Sequence, residues 1–108
     1  MADQEGVIRY TSTYLPGPSV EASQVEGLLA CWRLARSYGW IGEDELGVGY
    51  GNLSQRDIHV PTTFWITGTQ TSQVKSLGPE HLSYVLECDI PGNHVICSGP
   101  VQTSSETL

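Results

Sequence analysis

Positive charge is scarce in this sequence. Five Lys and Arg stand against twelve Asp and Glu, a net charge of −7 at pH 7. Proteins that grip nucleic acid neutralise phosphates with a basic face, and anionic lipid surfaces select for the same feature, so neither partner is expected. The sequence also lacks an apolar run long enough to span a bilayer and a basic-then-apolar leader, Met1 to Gly6 being polar and acidic, so a cytoplasmic protein is expected. Three cysteines, an odd number without repeating spacing, make no disulfide framework. No Walker-type lysine loop and no Gly-x-Ser-x-Gly elbow occurs, and Gly47-Val48-Gly49-Tyr50-Gly51 has neither the spacing nor the following helix of a dinucleotide fingerprint. His59, His81 and His94 stand far apart, with no His-x-His or His-x-x-x-His pair, and read as turn or surface residues rather than zinc ligands.

What is present suits one small domain. Apolar residues make up 39% of the chain and include three Trp, enough for a core, while twelve Gly and six Pro call for many turns. Residues 1–20, with Pro16-Gly17-Pro18 and no period, read as an irregular arm, and residues 21–108 as the domain. Ser23-Gln24-Val25-Glu26 has the form of a capping box. Behind it Val25, Leu28, Leu29, Trp32 and Ala35 recur at helical spacing, with Arg33 and Arg36 toward the end and Gly39 as terminator. Glu43, Asp44 and Glu45 read as a solvated loop or a helix start, without calcium spacing. Asn52–Arg56 and Thr63–Thr67 read as short strands, and Pro79–Leu82 as one helical turn. Tyr84–Ile90 and Val95–Ser98 read as a hairpin with Gly92-Asn93 at its tip, a register that sets Cys88 opposite Cys97, either as a disulfide or as two small reduced core residues. The fold class is α/β or α+β.

Three polar motifs lie where these strands begin or end: Gly51-Asn52-Leu53-Ser54, Thr67-Gly68-Thr69 and Thr103-Ser104-Ser105-Glu106. Each offers small donors, backbone amides beside Gly and little positive charge, a way to cradle a phosphate or carboxylate without lysines. Taken singly, each also reads as a turn or a helix start.

In their order, helix, Gly-Asn-Leu-Ser, Phe-Trp-Ile-Thr-Gly, hairpin and Ser-Ser-Glu, the elements from about Val25 to Leu108 resemble the N-terminal half of the class II aldolase/adducin family. The resemblance implies a three-layer α/β/α fold, of which this would be an incomplete part with one long helix, and a homo-oligomer. It implies zinc-dependent lyase or epimerase chemistry on a small sugar phosphate. The phosphate would be held by Gly51, Asn52, Thr67, Gly68, Ser104 and Ser105, and Glu106 would serve as catalytic acid/base and as a zinc ligand in an incomplete set. The family's His-x-His zinc pair follows its glutamate, whereas this sequence stops at Leu108, so a truncated domain that holds no zinc by itself is expected. The alternative is a non-enzymatic binding or assembly module of the adducin type. Half of a three-layer domain should also leave one sheet face bare and the chain self-associating, with Trp40, Phe64 and Trp65 the aromatics to watch, since Phe64 and Trp65 point to opposite faces and a single layer of helix cannot bury both.

Overall fold

The computed structural model describes residues 10–69, 71, 74–103 and 107. Among them β1 (Thr11–Pro16), β7 (His94–Gly99), β6 (Leu82–Asp89), β5 (Phe64–Thr67) and β4 (Ser54–Arg56) form a five-stranded mixed sheet in that order, with one α-helix on one face, and β2 (Gly42–Glu43) pairs with β3 (Gly49–Tyr50) in a separate arm. The molecule is 20 Å across its thinnest direction, room for a sheet and one layer of helix.

Helix α1 (Glu26–Ser37) buries Leu28, Trp32 and Ala35, at i, i+4 and i+7, with Val25 just before its first turn. These meet Trp65 and Leu82 of the sheet, with Ile41 and Leu77, to form the larger core. The Ser23–Glu26 capping box does not form. Residues Ala22–Gln24 make a 3-10 turn and the helix starts two residues later than such a box requires, with Val25 at the N-cap. The cap comes from the sheet: Gln55 accepts from the Leu28 amide (3.2 Å) and donates to the Gln24 carbonyl (2.8 Å). At the other end Gly39 takes φ +78°, its amide donates to the Arg36 carbonyl and that of Trp40 to the Ala35 carbonyl, a Schellman ending.

Strands β4 (Ser54–Arg56), β5 (Phe64–Thr67), β6 (Leu82–Asp89) and β7 (His94–Gly99) form an antiparallel meander. The β6–β7 turn is longer than Gly92-Asn93 alone. Asp89 pairs with His94, Asn93 sits at φ 53°, and Asp89 Oδ1 accepts from the Gly92 amide. With a bulge between Val85 and Glu87, this sets Cys88 opposite Val95 and Cys97 opposite Val85. Both cysteines are free thiols, and burial pushes that of Cys88 up.

The N-terminal stretch read as an irregular arm contains β1 (Thr11–Pro16), an edge strand parallel to β7. Its residues alternate, Ser12 and Tyr14 half-buried against the sheet and their neighbours exposed. Tyr14 donates to the Gly99 carbonyl (2.7 Å) and Tyr10 bonds Thr103 Oγ1 (2.9 Å), so both phenols lie on the face away from α1. That face is therefore not bare: Val85, Val95 and Cys97 are fully buried there, with Ile66 beside them and Phe64 half-buried at the margin. Trp65, on the opposite face, is 9% exposed under α1. Helix α1 thus covers Trp65 but not Phe64 on the other face, and Trp40 is 67% exposed.

Candidate functional site

The motifs read from the sequence meet at one corner of the sheet, as far as they are described. Thr67, the last residue of β5, donates from its hydroxyl to Asn52 Oδ1 (2.8 Å) and accepts from the Leu53 amide (3.3 Å). Gly68 pairs with Thr103 in an isolated antiparallel bridge, and the Thr69 amide donates to the Gln102 carbonyl. Thr71 closes the turn by donating to the Gly68 carbonyl (2.8 Å). Ser104, Ser105 and Glu106 follow Thr103 directly in sequence and lie outside the described residues.

This corner is built more tightly than an open cradle. The amides of Thr67, Gly68 and Thr69 all donate to backbone carbonyls, of Leu53, His81 and Gln102 in turn. Thr67 is 1% exposed, so its hydroxyl orients Asn52 from within, while Asn52 itself is half-exposed. The two glycines have packing reasons for being there. A Cβ on Gly51, at φ +93°, would come within 2.6 Å of the Trp40 carbonyl oxygen, and one on Gly68 within 2.4 Å of Val101 Cγ2.

A second polar cluster was not picked out from the sequence. After β4 the chain turns through Asp57, whose Oδ1 accepts from the His59 amide (2.9 Å), an Asx turn. Its Oδ2 accepts from the Tyr84 hydroxyl (2.7 Å), and the Thr63 hydroxyl, 2.6 Å from that phenol, also donates to the Val60 carbonyl. Two hydroxyl protons serve these three contacts: Tyr84 donates to the carboxylate and Thr63 is shared between the phenol oxygen and Val60. The Tyr84 hydrogen bond first, then the His59 amide, hold the Asp57 carboxyl below its usual range. Burial raises the Tyr84 phenol and the Asp57 charge adds to it, against the opposing Thr63 hydroxyl. Beside this cluster a cleft of about 310 Å³ opens between the start of α1 and the β4–β5 loop, lined by Gln24, Arg56, Asp57, His59 and Trp65. The sequence cue was Asp57 two residues before His59 at a strand end. Tyr84, from β6, could be found only through the strand pairing that sets it opposite Trp65.

The expected zinc ligand Glu106 lies outside the described residues, and among those described no three His, Cys, Asp or Glu side chains come together as a metal site. Each histidine sits elsewhere. His81 Nδ1 accepts from the Gly78 amide (3.0 Å), His94 bonds Thr11 and Thr13 on the β1 edge, and His59 caps the Asp57 turn. No helix among the described residues is long and apolar enough to cross a membrane. The chain matches no family model, no curated protein and no solved structure.

Proposed function

We propose that this chain is a binding domain of the class II aldolase/adducin kind, part of a three-layer α/β/α unit, and that its ligand is a small phosphorylated sugar taken at the corner of Asn52, Gly68 and the segment after Thr103. The observation that carries this reading is the Asn52–Thr67 hydrogen bond together with the Gly68–Thr103 bridge, which bring residues distant in sequence to one edge of the sheet. The order of elements supports it too: helix, β4, β5 and the β6–β7 hairpin succeed one another as the resemblance requires. With the amides of residues 67–69 engaged in the backbone, ligand contacts fall to the Asn52 side chain and to Ser104 and Ser105. Zinc-assisted aldol cleavage or epimerisation, with Glu106 moving the proton, needs a donor set that the described histidines do not assemble. We take the non-enzymatic form of the reading because the exposed apolar residues Tyr38, Trp40, Leu46 and Val48 suit an assembly role.

The test is titration of the 15N-labelled chain with dihydroxyacetone phosphate, inorganic phosphate and unphosphorylated dihydroxyacetone. Shifts confined to residues 51–53, 68–69 and 103–106, with a Kd on the order of 1 mM for the phosphorylated compounds alone, are expected. Asn52→Asp keeps the oxygen that Thr67 donates to but sets a negative charge against an anion, so it should abolish those shifts. Shifts elsewhere, equal shifts with the unphosphorylated compound, or an unaffected Asp variant would refute the proposal. Metal analysis after dialysis should find well under one zinc per chain, and stoichiometric zinc would restore the enzymatic reading.

A further inference from the structure

Several exposed large apolar side chains fall on the arm made by the end of α1 and the β2–β3 hairpin, which leads through Gly51 into the Asn52 corner. Strands β2 (Gly42–Glu43) and β3 (Gly49–Tyr50) pair Gly42 with Tyr50 and Glu43 with Gly49. Tyr50 and Val48 therefore share one side of the hairpin, and the Tyr50 ring lies over Gly42 opposite, 43% exposed. The Tyr50 hydroxyl donates to the carbonyl of Gly39 (3.1 Å), the residue between Tyr38 and Trp40, whose rings stack with centroids 5.1 Å apart. Leu46 at the tip is 88% exposed, Trp40 67%, Tyr38 62% and Val48 59%. Tyr38, Trp40, Leu46, Val48 and Tyr50 are thus gathered within one short stretch of chain tied by a Schellman turn and a two-pair hairpin.

Charge identifies what this surface accepts. The Asp44 carboxylate is turned inward, accepting from the Leu46 and Val48 amides at 2.9 Å each, while Glu43 and Glu45 stand exposed at the rim. Between Arg36 and Arg56 the sequence holds three acids and no Lys, Arg or His. Arg36 itself is packed over the Trp32 ring at 5.4 Å. A second copy of this arm would set acid against acid, whereas a cationic partner would meet apolar contact at the centre and opposite charge at the rim. We infer that the Tyr38–Tyr50 arm is a docking surface for a basic segment with one apolar face, supplied by another protein.

The probe is a synthetic 14-residue Leu/Lys amphipathic helix, with its Leu/Glu counterpart as control, titrated by fluorescence anisotropy in moderate salt. Three double variants separate the possibilities, and their similar melting curves show that each is folded, the altered side chains all being exposed. Leu46→Ser with Val48→Ser, and Glu43→Gln with Glu45→Gln, should each weaken binding of the Leu/Lys peptide by about tenfold or more. Glu21→Gln with Glu87→Gln removes the same charge at a distance and should change it less than about twofold. Equal weakening by both acidic pairs would mean only non-specific attraction to a chain of net charge −7 and would overturn the inference. So would arm variants that bind like the parent, equal binding of the Leu/Glu peptide, or a dimer by light scattering that the Leu46/Val48 variant disperses. None of these outcomes bears on phosphate binding at Asn52.

Discussion

Asp57 and Gly68 show how single residues hold the two polar regions. The Asp57 carboxyl titrates below its unfolded value of 3.8 because Tyr84 and the His59 amide stabilise the anion. A depressed carboxyl adds stability that is present above the unfolded pKa and lost as pH falls through the folded one. Denaturant unfolding of the parent should therefore weaken from pH 5 to pH 2.5 by more than that of Asp57→Asn, and parallel losses in the two chains would show that the carboxylate is not favoured by folding. Tyr84 has the opposite sign: its raised phenol adds stability that is complete below pH 10 and disappears above, through the folded pKa, so Tyr84→Phe should flatten the alkaline limb. At Gly68 the contact is steric. Gly68→Ala sets a methyl into Val101 and should cost about 1–3 kcal/mol. The same change in a Val101→Ala background should cost clearly less, and additive losses would mean that the strain lies elsewhere.

At the scale of elements, α1 is held by the sheet more than by its own sequence. Trp32→Ala should destabilise by about 3–5 kcal/mol, because the indole is 1% exposed at the centre of the larger core. Gln55→Ala should cost about 0.5–2 kcal/mol through the start of the helix, read as loss of amide protection in Glu26–Leu29 and not at its Gly39 end. Uniform loss along the helix would place the effect in packing. Gln55 also shows what was legible beforehand. The helix, its Gly39 stop, β4, β5 and the β6–β7 hairpin follow from local periodicity and turn residues. The cap on Leu28 and the bulge after Val85 depend on partners distant in sequence, so no local pattern announces them, whereas β1 carries strand-favouring Thr11, Thr13 and Tyr14 beside the Pro16-Gly17-Pro18 that argued against a strand. At the candidate site the same division holds. Asn52, Thr67 and Gly68 were marked by their own chemistry, whereas the Asp57–Tyr84–Thr63 cluster exists only once β5 and β6 are paired.

At the largest scale, among the described residues, the N-terminal edge strand covers part of the sheet face away from α1. Self-association was expected from an uncovered sheet face. Tyr10 and Tyr14 of the N-terminal segment lie on that face, and the most exposed large apolar side chains, Leu46, Ile58, Ile90 and Trp40, lie in loops. Tyr14→Ala should therefore loosen the smaller core and raise binding of a hydrophobic dye, and an unchanged dye signal would mean that the face is covered without it. The parallel pairing of β1 with β7 has a consequence in time. Thr11 meets His94 across 83 positions, whereas β6 and β7 meet across a single tight turn. Closing a loop of that length is entropically slow and is rewarded only after the hairpin it docks on exists. A chain leaving the ribosome would assemble α1 and the meander first and add its own beginning last. During that interval Val95 and Cys97 stand open to any other strand.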